Sequence, residues 1–392
     1  MTENRRGIFS FALLAMVATH ALIHAAGNMR STMIVEIRKE FILSNMQIGL
    51  ISAIPSLASV LFTLPVGWMS DKYGAKRLVA LSVGMAAAGA LIAGFTVNPA
   101  MYIVGLVLMT LTSTFYHPPS HSYTARMVDT SDRSKAMGFL NAGGTFGVAL
   151  GPLSITVLMG WFAFQWRHVY LFWVPLIALG LGLVLFLRDM KGAGADEDSG
   201  EHVKGEVETL LNRDFLMYLS ASGVRQFALG MIGTFLSIYL ADVRGWSITD
   251  LGIMFSASSV LGLAASPIGG YMAGRFGDKR WAVLALGTGY LFYIAAFFTE
   301  RVLPFMALYL LYRFCGILGM PATASLTAKL SPPRQMGMGF AISFLPGSVV
   351  SVVAPVAAAY IADAFGLFPI FTVSFIVMFL GLALLQFGVR IE

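Results

Sequence analysis

Long apolar stretches separated by short polar segments make up most of the chain. Twelve of them have about the length, roughly 20 residues, that a helix needs to cross the hydrocarbon core of a bilayer. In chain order they are 8–29, 46–68, 77–96, 100–125, 135–160, 167–187, 214–241, 248–271, 281–298, 302–326, 335–360 and 367–388. The pattern predicts an all-α membrane protein of twelve transmembrane helices, numbered here span 1 to span 12.

One polar segment is much longer than the others and divides the spans six and six. It mixes acidic and basic side chains with glycine and alanine: Lys191, Asp196, Glu197, Asp198, Glu201, Lys204, Glu206 and Glu208. We therefore predict an N-terminal half at 1–187, a cytoplasmic linker at 188–213 and a C-terminal half at 214–392.

Composition excludes several classes of protein. The 392 residues are 57% hydrophobic and only 12% charged, whereas a soluble domain is about 25% charged. A soluble enzyme, a disordered chain and a coiled coil would each need a more polar sequence. The single cysteine, Cys315, excludes a disulfide framework or a cysteine metal cluster. With no phosphate-binding loop and no nucleophile–base arrangement, the sequence predicts no enzyme activity and no cofactor.

The basic charge of the chain is unevenly distributed. If the N-terminus is cytoplasmic, the inner segments hold three times as many lysines and arginines as the outer segments. This bias is typical of multi-pass membrane proteins and predicts that both termini are cytoplasmic, in a prokaryotic inner membrane. It also explains the net charge of +6 without a nucleic-acid partner.

The two halves repeat each other. Residues 67–77 recur as residues 270–280, an offset of 203. At the same offset Pro118 corresponds to Pro321, and Pro152 to Pro355. Since both halves have six spans and begin inside, the repeat is parallel, as in the two halves of many transporters.

The loop between spans 2 and 3 resembles the signature loop of the major facilitator superfamily. The matching positions are Gly67, Asp71, Lys72, Gly74, Lys76 and Arg77. The resemblance implies a secondary transporter whose two six-helix halves rock around a central site. It also implies that Asp71 latches the halves on the cytoplasmic side, a residue that the second copy replaces with Gly274.

A narrower set of motifs resembles the fosmidomycin-resistance branch of drug exporters. They are Thr19-His20, 46–49, 115–118, 125–127 and the glycine-rich 143–152. This resemblance implies proton-coupled export. The chain departs from the branch pattern at His24, near where that branch has a carboxylate in span 1.

Ionisable side chains inside spans cost about 2.5–3.5 kcal/mol each to insert and are therefore candidates for function. Here they are His20, His24, His117, His121, Arg225 and Arg313. They fall on spans 1, 4, 7 and 10, which line the central cavity of the fold that the chain resembles. No carboxylate lies in the middle of a span.

Arg225 and Arg313 both lie about 16–18 Å into their spans, near the bilayer midplane. Without a buried carboxylate, they need an anionic substrate, backbone carbonyls or water to stabilise them. We favour the anion, and the predicted substrate-binding set is Arg225, Arg313, His20, His24, His117 and Tyr116.

The histidines pair at a spacing of four residues, which puts each pair on one helix face. Histidine titrates near neutral pH, so His24, His117 and His121 are predicted to carry coupling protons. The alternatives are structural hydrogen bonds and a zinc site. Because carboxylate and thiol ligands are missing, no metal is predicted.

These features favour a monomeric secondary transporter that exports a small organic anion or anionic drug in exchange for protons. The alternatives are uptake of an anionic carboxylate or phosphonate by symport or exchange, and a membrane sensor without transport.

Overall fold

The computed structural model describes residues 10–128, 133–188, 212–331 and 336–391. Within these ranges the chain is helical, and twelve helical stretches are long and apolar enough to cross a membrane. The all-α prediction of twelve spans is confirmed. The described residues group into two compact units, one taken from 1–42, 54–199 and 251–259 and the other from 43–53, 200–250 and 260–392. The predicted linker at 188–213 lies almost wholly outside the described residues, and the division of the chain at this point stays a prediction.

The described residues of the first half, 10–128 and 133–188, form seven α-helices. In order they are α1 (Phe11–Asn28), α2 (Arg30–Phe41), α3 (Asn45–Tyr73), α4 (Ala75–Gly94), α5 (Pro99–Met127), α6 (Arg133–Ile155) and α7 (Trp166–Leu185). A π-helical turn at Thr156–Trp161 extends α6. Asn98 caps α5 through a hydrogen bond to the Met101 amide, with proline at the first helical position.

In the second half, the segments that the structure describes, 212–331 and 336–391, also form seven α-helices. In order they are α8 (Arg213–Asp242), α9 (Ile248–Phe276), α10 (Asp278–Phe297), α11 (Val302–Leu318), α12 (Met320–Leu330), α13 (Met336–Phe365) and α14 (Phe368–Ala383). Asn212 caps α8, and a reciprocal pair of bonds between Ser247 and Asp250 caps α9.

The predicted repeat appears in the backbone. Gly74 joins α3 to α4 with φ +89°, and Gly277 joins α9 to α10 with φ +86°. The two glycines stand at the predicted offset and share a left-handed conformation that side chains rarely adopt. The same sharp turn is therefore built twice.

Span 1 is longer than its hydropathy predicts. After Asn28 the helix resumes at Arg30 and ends at Phe41, where Ile42 takes the left-handed conformation. The carboxylate of Glu40 accepts hydrogen bonds from Trp166 and Arg167 at the start of α7. These hydrogen bonds and the ion pair between Glu36 and Lys39 on α2 stabilise a segment that its polarity would assign to a loop.

A glycine stripe sets the packing of α1 on α6 in the first unit. A Cβ atom at Gly143, Gly147 or Gly151 would collide with the backbone of α1 at Val17, Ala21 or Ala25. Both sets repeat every four residues, so the two helices contact along matching faces. This close approach brings α6 beside the histidines of α1.

Candidate functional site

Three histidines of the first unit form a cluster between α1 and α5. The ring centroids of His20 and His24 are 4.8 Å apart, and that of His117 lies 5.2 Å from His20 and 5.3 Å from His24. One ring nitrogen from each of the three lies within 4.8 Å of the others. His20 and His24 therefore share one face of α1, as predicted, and His117 of α5 lies beside them.

Hydrogen bonds fix the orientation of the first ring. His20 Nδ1 lies 2.7 Å from the carbonyl oxygen of Leu140 on α6. Because a carbonyl only accepts, Nδ1 carries the proton and a neutral His20 presents a bare Nε2. That atom lies 3.1 Å from Nε2 of His24, which can donate to it. Asn28 donates to the backbone carbonyl of His24 one turn further on.

Tyr116 packs against this cluster. Its ring stacks on His20 with a centroid distance of 5.2 Å, and its hydroxyl donates to the carbonyl of Met16. The same hydroxyl lies 2.8 Å from Thr19 Oγ1. Tyr116 is fully buried, so it packs the cluster, and its predicted contact with substrate stays a prediction.

His121 extends the cluster by one turn of α5. Its ring lies 6.1 Å from that of His117. Its Nε2 is buried and has no hydrogen-bond partner among the described residues. A polar atom in this condition needs water, a proton carrier or a ligand for satisfaction.

Arg225 lies in the second unit, twelve residues after the start of α8. It is partly buried and lines a small cavity with Tyr218, Ser222 and Thr323. Gly381 of α14 allows the close approach, because a Cβ there would meet the backbone nitrogen of Arg225 at 3.2 Å. Across the described part of the chain, the Arg225 guanidinium has no hydrogen-bond or ion-pair partner.

Arg313 belongs to the same unit, on α11, and its side chain is exposed. Tyr312 lies within electrostatic range of both Arg313 and Arg225. Among the residues that the structure describes, Arg313 also lacks a hydrogen-bond or ion-pair partner. Two predicted anion-binding groups are therefore close to one tyrosine and unneutralised.

The signature loop is only partly visible. Lys72 lies 4.6 Å from the ring of Trp68 and 5.4 Å from that of Tyr73. Lys76 and Arg77 begin α4. Gly67 and Asp71 lie on α3, but the Asp71 side chain lies outside what the structure describes, so the latch assigned to Asp71 stays a prediction.

Sequence reasoning missed two features of these units. Asp278 is buried at the start of α10, where it accepts from Ser325 at 2.6 Å and pairs with Lys329 at 2.8 Å. The repeat held a signal, because Ser325 and Lys329 correspond to Ser122 and Arg126. The Leu140 carbonyl that orients His20 carried no signal, because any residue offers a carbonyl.

Comparison with known proteins decides the family. The family model of the Major Facilitator Superfamily matches twice, over residues 16–224 and 215–391. The chain belongs to the major facilitator superfamily. It is therefore a transporter and an integral multi-pass membrane protein, not an enzyme, and alternating access with proton coupling fits this family.

Individual relatives are distant. The Escherichia coli K12 protein named "Probable galactarate/D-glucarate transporter GarP" is 24% identical, over 92% of this chain and 90% of the relative. The fosmidomycin resistance protein of the same organism is 25% identical, over 69% and 67%. A solved bacterial homolog of the human lysosomal transporter Spinster is similar in fold, with a TM-score of 0.82, 16% identity and 98% of both chains covered.

Proposed function

We propose that the chain is a proton-coupled exporter of small organic anions. The observation that carries this proposal is the pair of mid-helix guanidinium groups, Arg225 and Arg313, without hydrogen-bond or ion-pair partners among the described residues. A charge in the middle of a span is retained where it binds something, since insertion alone is unfavourable.

The exposure of Arg313 supports an aqueous binding site. Because an exposed guanidinium in hydrocarbon would be costly, we propose that this exposed side chain faces a water-filled cavity. An anionic substrate reaching it could form charge-assisted, bidentate hydrogen bonds that a cation or a neutral solute could not form.

The surroundings of Arg225 suit a substrate with oxygen atoms. Tyr218 donates to the Thr323 carbonyl and accepts from Thr327, so its hydroxyl is held in place beside the cavity. Ser222 adds another hydroxyl to the lining. A carboxylate or phosphonate could accept from the guanidinium and from the hydroxyl of Ser222, whose oxygen accepts from Gln226 and whose proton can still be donated.

Uptake of an anionic metabolite is the second candidate. It is favoured by the relative named for galactarate and D-glucarate, which are dicarboxylates, and whose match covers most of both chains. In either direction, we propose that the protein works as a monomer in the bacterial cytoplasmic membrane with both termini inside, as its charge bias favours.

A thermal-stability screen of the detergent-solubilised protein tests the charge class of the substrate. The panel contains dicarboxylates, phosphonates, organic cations of matched size and neutral polyols, at one ionic strength. Binding stabilises the native state, so at least one of the anions should raise the melting temperature, and the cations and polyols should not. Stabilisation by cations or polyols alone would contradict the proposal.

A further inference from the structure

We propose that His20, His24 and His117 bind one divalent transition-metal ion, with Zn²⁺ as the best match. This inference goes beyond the proposed function, because the site lies wholly in the first unit and uses none of the arginines. It replaces the sequence expectation of no metal, since three imidazoles can bind zinc without carboxylate or thiol ligands. Its basis is three imidazole nitrogens, from two adjacent helices, that lie within 4.8 Å of one another.

The spacing of the nitrogens is close to what a metal needs. In tetrahedral coordination with bonds of 2.0–2.1 Å, two nitrogen ligands of zinc are about 3.3 Å apart. The Nε2 atoms of His20 and His24 are 3.1 Å apart. The widest ligand separation is at most 4.8 Å, and a small rotation of the His117 side chain would close the difference.

The shell around the rings is of the kind that supports metal ligands. A ligating histidine usually donates a hydrogen bond from its second ring N–H to a carbonyl or carboxylate, which fixes its tautomer. His20 Nδ1 makes this bond to Leu140 and leaves Nε2 bare for a metal. Tyr116 stacks on the same ring from α5.

A glycine makes room for the first ligand. A Cβ atom at Gly144 would lie 2.6 Å from Cε1 and 2.8 Å from Nε2 of His20. The position therefore accepts only glycine while the ring points at His24 and His117. The Gly144 backbone and the Leu140 carbonyl, both on α6, together hold the ring in place.

The donor set selects the ion. Three neutral imidazoles suit zinc, cobalt, nickel or copper and not calcium or magnesium, which prefer oxygen. No carboxylate or thiol joins the cluster within the described part of the chain. The fourth coordination position is then open to water or to an anionic ligand.

Zinc titration of the detergent-solubilised protein tests the site. The protein is purified through a histidine-free tag, and binding is measured by calorimetry. Wild type should bind one Zn²⁺ per chain, and His20→Gln, His24→Gln and His117→Gln should each weaken binding at least about tenfold. The exposed His168 is the matched control, and His168→Gln should bind zinc like wild type.

Two further measurements do not depend on removing a ligand. X-ray absorption of zinc-loaded wild type should show three imidazole ligands at about 2.0 Å. Gly144→Ala should weaken zinc binding by displacing His20, whereas Gly138→Ala on the same helix should not, since no atom lies within 4 Å of its added Cβ.

The proposal is overturned if wild type binds no stoichiometric zinc, if a triple glutamine variant binds it like wild type, or if the absorption spectrum shows no imidazole ligands. In those cases the 3.1 Å contact between the Nε2 atoms of His20 and His24 is a hydrogen bond only. Because zinc binding is measured without transport or anions, its failure leaves the anion proposal separately testable.

Discussion

At the residue scale, the proposal assigns anion binding to the arginines of α8 and α11. Arg225→Ala or Arg313→Ala should weaken anion binding roughly ten- to a hundredfold, since a charged hydrogen bond contributes about 1.5–3 kcal/mol. Lysine keeps the charge but loses the planar fork, so Arg225→Lys and Arg313→Lys should recover only part of the affinity. Isothermal titration at fixed ionic strength measures both effects.

The control for this prediction is Arg301. It is exposed at the N-cap of α11, more than ten residues before Arg313. Arg301→Ala changes the net charge equally and should leave anion affinity unchanged. Wild-type affinity in both alanine variants at the predicted positions would refute the arginine assignment.

In the metal-free protein, the histidines are predicted to couple transport to protons, because an imidazole nitrogen bound to zinc cannot take up a proton. Replacing His20, His24, His117 and His121 together by glutamine should abolish flux driven by a pH gradient and spare substrate exchange, because glutamine does not titrate near neutral pH. Vesicles with and without an imposed pH gradient separate the two activities. Proton-driven flux that survives in this variant would place the coupling group elsewhere.

The histidine cluster shows what spacing can and cannot predict. The interval of four residues predicts that His20 and His24 share one helix face, and in the structure their Nε2 atoms are 3.1 Å apart. The partner across the helix pair, His117, depends on how α1 and α5 pack. That packing depends on the hydrogen bonds of the buried Tyr116 to Met16 and Thr19 of α1, and one tyrosine in a sequence does not indicate which helix it packs against.

At the element scale, the glycine stripe of α6 determines how closely α1 packs. Gly147→Ala would push a Cβ into the Ala21 backbone and should destabilise the protein by about 1–3 kcal/mol. Gly138→Ala faces open space on the same helix and should be neutral or slightly stabilising. Denaturant unfolding in mixed micelles compares the two, and equal stability would contradict the packing account.

Helix boundaries follow hydropathy except where polar contacts extend a helix. Most predicted spans match the structure to within a few residues. The predicted end of span 1 was wrong, because α2 carries charges up to Glu40 and still continues to Phe41. The hydrogen bond from Arg167 to Glu40 joins residues far apart in sequence, so no local pattern predicts it.

At the scale of the whole molecule, the duplicated fold could be predicted and the substrate could not. The repeat of residues 67–77 at 270–280 predicts two similar halves, and the paired left-handed glycines and the twofold family match support them. Substrate identity depends on a few side chains whose neighbours come from many helices. Relatives with only 24–25% identity, which are named for different substrates, do not determine it.

The predicted latch acts on the motion of the whole molecule. Asp71→Asn should slow turnover with little effect on substrate affinity, because the residue is predicted to stabilise one closed state and not to touch substrate. Asp71→Glu retains the charge and should recover part of the rate. Turnover in vesicles, read beside equilibrium binding, checks this; normal turnover in Asp71→Asn would contradict it.

Flux in vesicles of known protein sidedness tests the central claim most directly. Labelled organic anions, cations and neutral solutes of matched size are supplied at the cytoplasmic face while the opposite face is made acidic. The account predicts that anions alone move toward the acidic side, that the movement stops when the pH gradient is dissipated, and that Arg225→Ala and Arg313→Ala reduce it. Transport of cations or neutral solutes, with no movement of any anion, would contradict it.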